Sequence, residues 1–144
     1  MTVRNLVKTA MLIPESIGIY KYDPHMLMTR YHKDCDKHDL YDFLYNNPYK
    51  FVNGRKKYNV YKDRKTKISF IEWLPFSWTD CHKHQHQTSF IVLEGLLKEQ
   101  VYLPHGNIEN VLFPSNSSKL TEEEYHKISS MECNAISLHV DIFS

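Results

Sequence analysis

The stretch Trp78-Thr79-Asp80-Cys81-His82-Lys83-His84-Gln85-His86, which leads into Ser89-Phe90-Ile91-Val92-Leu93, places three histidines at alternate positions ahead of an apolar run. In a β-strand residues i and i+2 project from one face, so His82 and His84, or His84 and His86, stand side by side. Imidazoles crowded in this way repel one another when protonated and are costly to bury unless something organises them. Two on a rigid strand make most of a metal site. The helical alternative, His82 and His86 at i and i+4, lacks the Glu that follows the first histidine in helical zinc motifs. Spacing alone leaves both strand pairs open.

Working outward, the alternating texture begins near Phe51. Asn53-Gly54 is a turn signal, and Tyr58 to Lys62 and Lys67 to Leu74 read as strands, the second bounded by Pro75. Glu94-Gly95 is expected to close a hairpin, with Leu96 to Tyr102 pairing back on the histidine strand. Pro104-His105-Gly106 reads as a loop, Asn110 to Phe113 as a short strand and Ser115 to Ser118 as a polar loop. Leu120 to Glu124 is expected to form a helical turn, and Asn134 to Phe143 a final alternating strand. Short strands at this spacing indicate an antiparallel barrel or sandwich. Upstream, Val3 to Leu12 and the apolar positions Met26, Tyr31, Leu40, Phe43 and Leu44 suggest short helices, the last ended by Asn46-Asn47-Pro48. The organisation expected is one domain over residues 1–144: a helical cap over 1–50 and a β-barrel over 51–144.

The chain has 144 residues, with 18 Lys+Arg against 17 Asp+Glu. That balance gives no reason to expect nucleic acid or an anionic membrane as partner. The one basic excess, Arg55-Lys56-Lys57 with Lys62, Arg64, Lys65 and Lys67, reads as a solvated strand-and-turn surface. Three cysteines, Cys35, Cys81 and Cys133, do not suggest a disulfide scaffold and suit a reducing cytosol. The N-terminal segment shows no signal-peptide core, and no run approaches the roughly 18 apolar residues of a membrane span. A cytoplasmic protein is expected, and a monomer.

Of the nine histidines, His25, His32, His38 and His105 sit among charged residues and read as surface side chains. His126, between a loop and the last strand, differs. A barrel could bring it against the histidine strand and complete a three-histidine site with open positions for ligands.

Taken together, these residues resemble the cysteine dioxygenase family of cupins. Cys81-His-Lys-His84 followed by Leu93-Glu-Gly95-Leu-Leu-Lys-Glu is similar to its H-x-H strand and L-x-G-x-x-K-E segment. His126-Lys-Ile-Ser resembles its H-R-V-E-N segment, and Ile136-Ser-Leu-His139-Val its S-L-H-x-Y strand. Asp39 to Pro48, followed by Tyr58-Asn-Val, looks like its helical cap and Y-x-R strand. The similarity spans about residues 38–143. It implies a small antiparallel β-jelly-roll, mainly β, with Fe(II) held by His82, His84 and His126 and with His86 outside the ligand set. The activity implied is oxidation of a small thiol by O2 to a sulfinic acid. His139 and Tyr58 are the side chains the resemblance places at the chemistry, with Ser137 and Asp141 shaping the surroundings of the metal. The chain departs from the family in two ways that bear on substrate. Val60 stands where the family has a carboxylate-binding Arg, for which Arg55 or Arg64 could substitute only from another backbone position. Asp141 stands where it has Tyr, which would favour a cationic group such as an amine. A catalytically inert cupin that binds metal or a small ligand for sensing or assembly is the second reading, and three histidines alone do not select iron over other metals.

Overall fold

Strand alternation in this chain sorts side chains between two different cores, and that sorting places the site. The computed structural model describes residues 37–62, 64–120 and 124–143. It contains one helix, α1 (Lys37–Tyr45), and nine strands: β1 (Lys50–Val52), β2 (Arg55–Lys62), β3 (Thr66–Trp73), β4 (Gln87–Glu94), β5 (Leu97–Leu103), β6 (Gly106–Leu112), β7 (Ser117–Leu120), β8 (Tyr125–Ser130) and β9 (Ala135–Ile142). All pairings are antiparallel, in a six-stranded sheet ordered β1-β2-β3-β9-β4-β7 and a three-stranded sheet ordered β6-β5-β8. This is a mainly β, two-sheet jelly-roll, as expected.

The central strands β3 and β9 are buried on both faces. Ile136, Leu138 and Val140 of β9 join Ile68 and Phe70 of β3 and Ile91 and Leu93 of β4 in one core cluster, capped by Leu40, Phe43 and Leu44 of α1. Those three helix residues fall at i, i+3 and i+4, one helical face, and each buried side chain contributes roughly 1.5–3 kcal/mol. The helix stops where its last carbonyls find side-chain donors: Asn46 Nδ2 bonds the Asp42 carbonyl at 2.8 Å and Asn47 Nδ2 that of Phe43 at 2.7 Å. The opposite phase faces the space between the sheets. There Ile71, Trp73, Phe90, Val92, Leu97, Leu112, Ile128 and Ala135 form a second cluster. Ser137, His139 and Asp141 of β9 share that inward phase with Ser69 of β3.

Four expectations need correction. The histidine stretch is not a regular strand: β4 begins at Gln87, and His82 meets the second sheet through an isolated bridge to His126. Glu94-Gly95 does not close a hairpin. β4 pairs with β7 and β9 while β5 pairs with β6 and β8, so this turn carries the chain from one sheet to the other. Ser117 to Leu120 forms strand β7, where a polar loop and the start of a helical turn were expected. The Asn110–Phe113 strand is longer than expected, running from Gly106 to Leu112. The Asn53-Gly54 turn stands, with φ of 49° and 77°, the left-handed pair a tight hairpin needs. The expected helices before residue 37 lie outside the described residues. Among the described residues no helix is long and apolar enough to cross a membrane.

Candidate metal centre

Strand β8 and the irregular segment leading into β4 deliver one histidine cluster. His126 projects inward from β8, where the β5 partner of its neighbour is Gln100, and it is 1% exposed. Paired backbone bonds fix His82 opposite it: His82 N donates to His126 O at 2.9 Å, and His126 N to His82 O at 2.8 Å. Beyond that bridge the chain leaves strand pairing, and His84 joins the pair from the loop before β4. Their Nε2 atoms lie 3.1 Å apart for His82 and His126, 3.2 Å for His84 and His126 and 3.3 Å for His82 and His84.

The far nitrogens decide what those contacts mean. His126 Nδ1 donates to the buried Glu99 Oε2 at 2.9 Å, and Glu99 Oε1 in turn accepts from Ser118 Oγ at 2.7 Å. His82 Nδ1 donates to the Asp80 carbonyl at 2.7 Å. A neutral imidazole carries one N–H, so both Nε2 atoms present lone pairs to each other with no proton to share. A metal ion held between them would turn this arrangement from repulsive to attractive. The triangle also fits: an ion about 2.1 Å from each nitrogen would subtend angles of about 95–105°, which leaves the remaining coordination positions open on the cavity side. The donor set therefore suits a first-row divalent metal, with Glu99 and the Asp80 carbonyl orienting two of the three ligands.

Burial favours the neutral form of His82, His84 and His139. Burial, followed by the neighbouring His126 and His82, lowers the His84 pKa to about 4. Burial also lowers that of His82, despite its bond to the Asp80 carbonyl. His139 is held down to about 3 by burial. An unfolded histidine titrates near 6.5, so above that pH both states are neutral and these groups add no pH dependence. Below it the unfolded chain takes up protons that the folded, metal-free protein refuses. Melting of chelator-treated protein should therefore show a Tm that falls steadily from pH 6.5 toward 4, and an unchanged Tm across that window would contradict the neutral cluster.

The triad opens on a cavity of about 170 Å³ between the sheets, roughly five or six water volumes. Its other walls include Arg55, Lys57, Ser69, Trp73, Phe90, His139 and Asp141. Trp73 Nε1 donates to Ser137 Oγ at 2.8 Å, which leaves the Ser137 hydroxyl to donate to His139 Nε2 at 2.6 Å. His139 stacks on Phe90 at 5.0 Å. Ser137 and His139 thus form a fixed relay at the cavity wall, with the Nδ1–H of His139 as the ring's donor.

Of the residues expected at the site, His82, His84 and His126 converge, and His139, Ser137 and Asp141 lie close by. Tyr58 does not reach it. Its side chain is 2% exposed in the helix-facing core, against the Tyr49 ring at 5.5 Å, because it takes the outward phase of β2. Val60 packs against that same core. The inward phase of β2 belongs to Arg55 and Lys57, two members of the basic run expected to be solvated. Arg55 lies over the Trp73 ring at 5.5 Å, and burial lowers both its pKa and that of Lys57, the latter to about 8. Asp141, expected to meet a cationic substrate group, accepts from Thr88 Oγ1 at 2.8 Å and has His86 Nε2 at 3.1 Å. Burial opposes its ionisation, but the hydrogen bond from Thr88 and the adjacent His86 imidazole hold its carboxyl below the usual range. Nor is His86 remote: its ring centroid is 5.6 Å from that of His84. Glu99, which sequence reading passed over, carried a signal: it sits on the buried phase of Leu97-Lys-Glu99-Gln-Val101, where an unpaired charge is too costly to keep.

By sequence the chain matches no family model and no curated protein. By structure it is similar to many solved chains. KdgF from Halomonas sp. aligns with a TM-score of 0.61 at 12% identity, over 68% of this chain and 87% of that one. An RmlC-like cupin from Shewanella frigidimarina aligns at 0.61 and 16% identity, over 69% and 86%. Oxalate decarboxylase from Lactobacillus farciminis, solved as a formate complex, aligns at 0.61 and 12%, over 69% of this chain and 32% of its own. Fold and site together define the class: a protein of cupin fold with a candidate three-histidine metal centre.

Proposed function

We propose that the protein is a non-haem Fe(II) thiol dioxygenase acting on a small thiol that carries an acidic group. The three-histidine set carries the reading, since its three neutral ligands leave a metal's full positive charge facing the cavity. Fe(II) held there would supply the Lewis acidity that ionises a thiol and the electrons that let O2 react with it, for a net change R–SH + O2 → R–SO2H. The chain's own groups do the rest. Trp73 and Phe90 line the cavity; Ser137 donates to His139 Nε2, which leaves the His139 Nδ1–H to donate toward a bound group. The resemblance to the cysteine dioxygenase segments around His84, Gly95, His126 and His139 supports the reaction type.

The substrate preference shifts away from the amine suggested by Asp141. Arg55 Nε and Ser69 Oγ are buried with no hydrogen-bond partner among the described residues, and both line this cavity. Buried polar atoms left so are costly unless a ligand pairs with them. A carboxylate meets that need, since a guanidinium binds it in two parallel bonds.

Protein reconstituted anaerobically with Fe(II) should consume O2 with 3-mercaptopropionate or cysteine and not with cysteamine. Arg55→Ala should raise KM for the acidic thiols about 10- to 100-fold, the worth of a charged hydrogen bond, with a smaller change in kcat. No uptake with any thiol overturns the reading of the reaction; a preference for cysteamine overturns that of the substrate. No uptake alongside tight metal binding would favour the inert, ligand-binding cupin.

A further inference from the structure

The His86–Asp141 pair has no place in the triad or in the thiol chemistry, yet it sits directly beside both. His84, His86 and Asp141 each offer a ligand atom, and these atoms lie within 4.8 Å of one another. His86 Nε2 is buried and 3.1 Å from Asp141 Oδ1, but it lacks a well-aligned hydrogen-bond partner among the described residues. Its ring is held in place by Phe143, 4.6 Å away, and Asp141 by Thr88. An aimed nitrogen left without an aligned acceptor, beside an ionised carboxylate, is what a ligand set looks like before its ion is added. Two imidazoles and a carboxylate form a donor set that divalent transition metals take with open positions.

We infer that His86 and Asp141, together with the outer nitrogen of His84, form a second divalent-cation site next to the three-histidine centre. His84 Nε2 faces His82 and His126, so Nδ1, on the other side of the ring, is the atom that serves the second set. Binding there replaces the Nδ1 proton, which passes to solvent as the metal–nitrogen bond forms. Arg55 and Lys57 line the same cavity, and an ion in the triad adds further positive charge. The second ion is therefore the weaker one.

The test uses metal-free protein titrated with Zn2+ against a chromophoric chelator, and needs no turnover. Wild type should take two equivalents, the second at least tenfold weaker. His86→Ala and Asp141→Asn should each take one, with the tight equivalent unchanged. The Asn variant can still accept from Thr88, and His86 is partly exposed, so if one variant fails to fold the other decides. A single equivalent in wild type, or two equivalents in the folded variants, overturns the inference. Thiol-dependent O2 uptake does not enter this result, so the dioxygenase reading and the second site stand or fall separately.

Discussion

Replacing His84 by alanine is expected to strip the protein of its tightly held metal and abolish thiol-dependent O2 uptake, while leaving the metal-free fold nearly as stable as before. The three histidines all contact one another, and without His84 only two nitrogens 3.1 Å apart remain. Removing even an orienting partner of a ligand typically costs 10–100-fold in metal affinity, so loss of a ligand itself should cost at least about 100-fold. The metal-free fold, by contrast, should lose little. In the metal-free protein His84 stands against two other imidazoles, and burial followed by those neighbours lowers its pKa to about 4. Deleting it removes those unfavourable contacts and offsets the packing lost, so the Tm without metal should stay within about 5 °C of wild type. Added metal should then raise the Tm of wild type and not of the variant, because only a ligand bound by the native state stabilises it. The exposed His105, changed to alanine, serves as the control that alters neither metal content nor Tm. Wild-type metal content in the His84→Ala protein would remove the basis of the site.

What the sequence revealed, and what it hid, follows from the length scale of each signal. The alternation of Ile136-Ser-Leu-His-Val-Asp141 is complete within one strand, so the inward set Ser137, His139 and Asp141 could be read before any tertiary contact was known. His126 was reachable only by assuming that a barrel brings β8 to the histidine stretch, which the His82–His126 bridge does. The hairpin at Glu94-Gly95 misled because a turn signal specifies a change of direction and not a partner. The choice between pairing back and crossing to the second sheet rests on contacts from β8 and β9, far along the chain. Tyr58 and the basic run failed together. Nothing local distinguishes a solvated Arg-Lys-Lys strand from one whose alternate members turn inward, and the bulge between Asn59 and Tyr61 breaks any simple count. Lys56, on the other phase, is only partly exposed and pairs with the buried Glu72 at 3.6 Å. The acidic-thiol pocket could not be seen without knowing which phase of β2 faced the metal.

Gly95→Ala should be the most damaging glycine-to-alanine change among the described residues. Gly95 adopts φ of +77°, a conformation that an alanine holds only under strain. The space is closed as well: a Cβ there would press on the Asn134 carbonyl oxygen and lie 2.8 Å from the Ala135 Cα, both backbone atoms at the start of β9. Backbone cannot rotate away as a side chain can, so the corner and the strand must separate. The expected cost is about 3 kcal/mol or more, which for a chain of this size lowers Tm by about 10 °C. Gly106 provides the comparison, since it shares a positive φ (139°) but has nothing within 4 Å of its missing Cβ. Gly106→Ala should therefore show the strain alone, about 1–2 kcal/mol. The functional consequence separates the two further. Gly95 launches β5, which carries Glu99 to His126, and abuts the start of β9, which carries Ser137 and His139 to the cavity. Folded Gly95→Ala protein should hold its metal more weakly than wild type, whereas Gly106→Ala should bind it unchanged. Equal Tm losses in the two variants would show that strain, and not the crossing of chains at this corner, sets the cost.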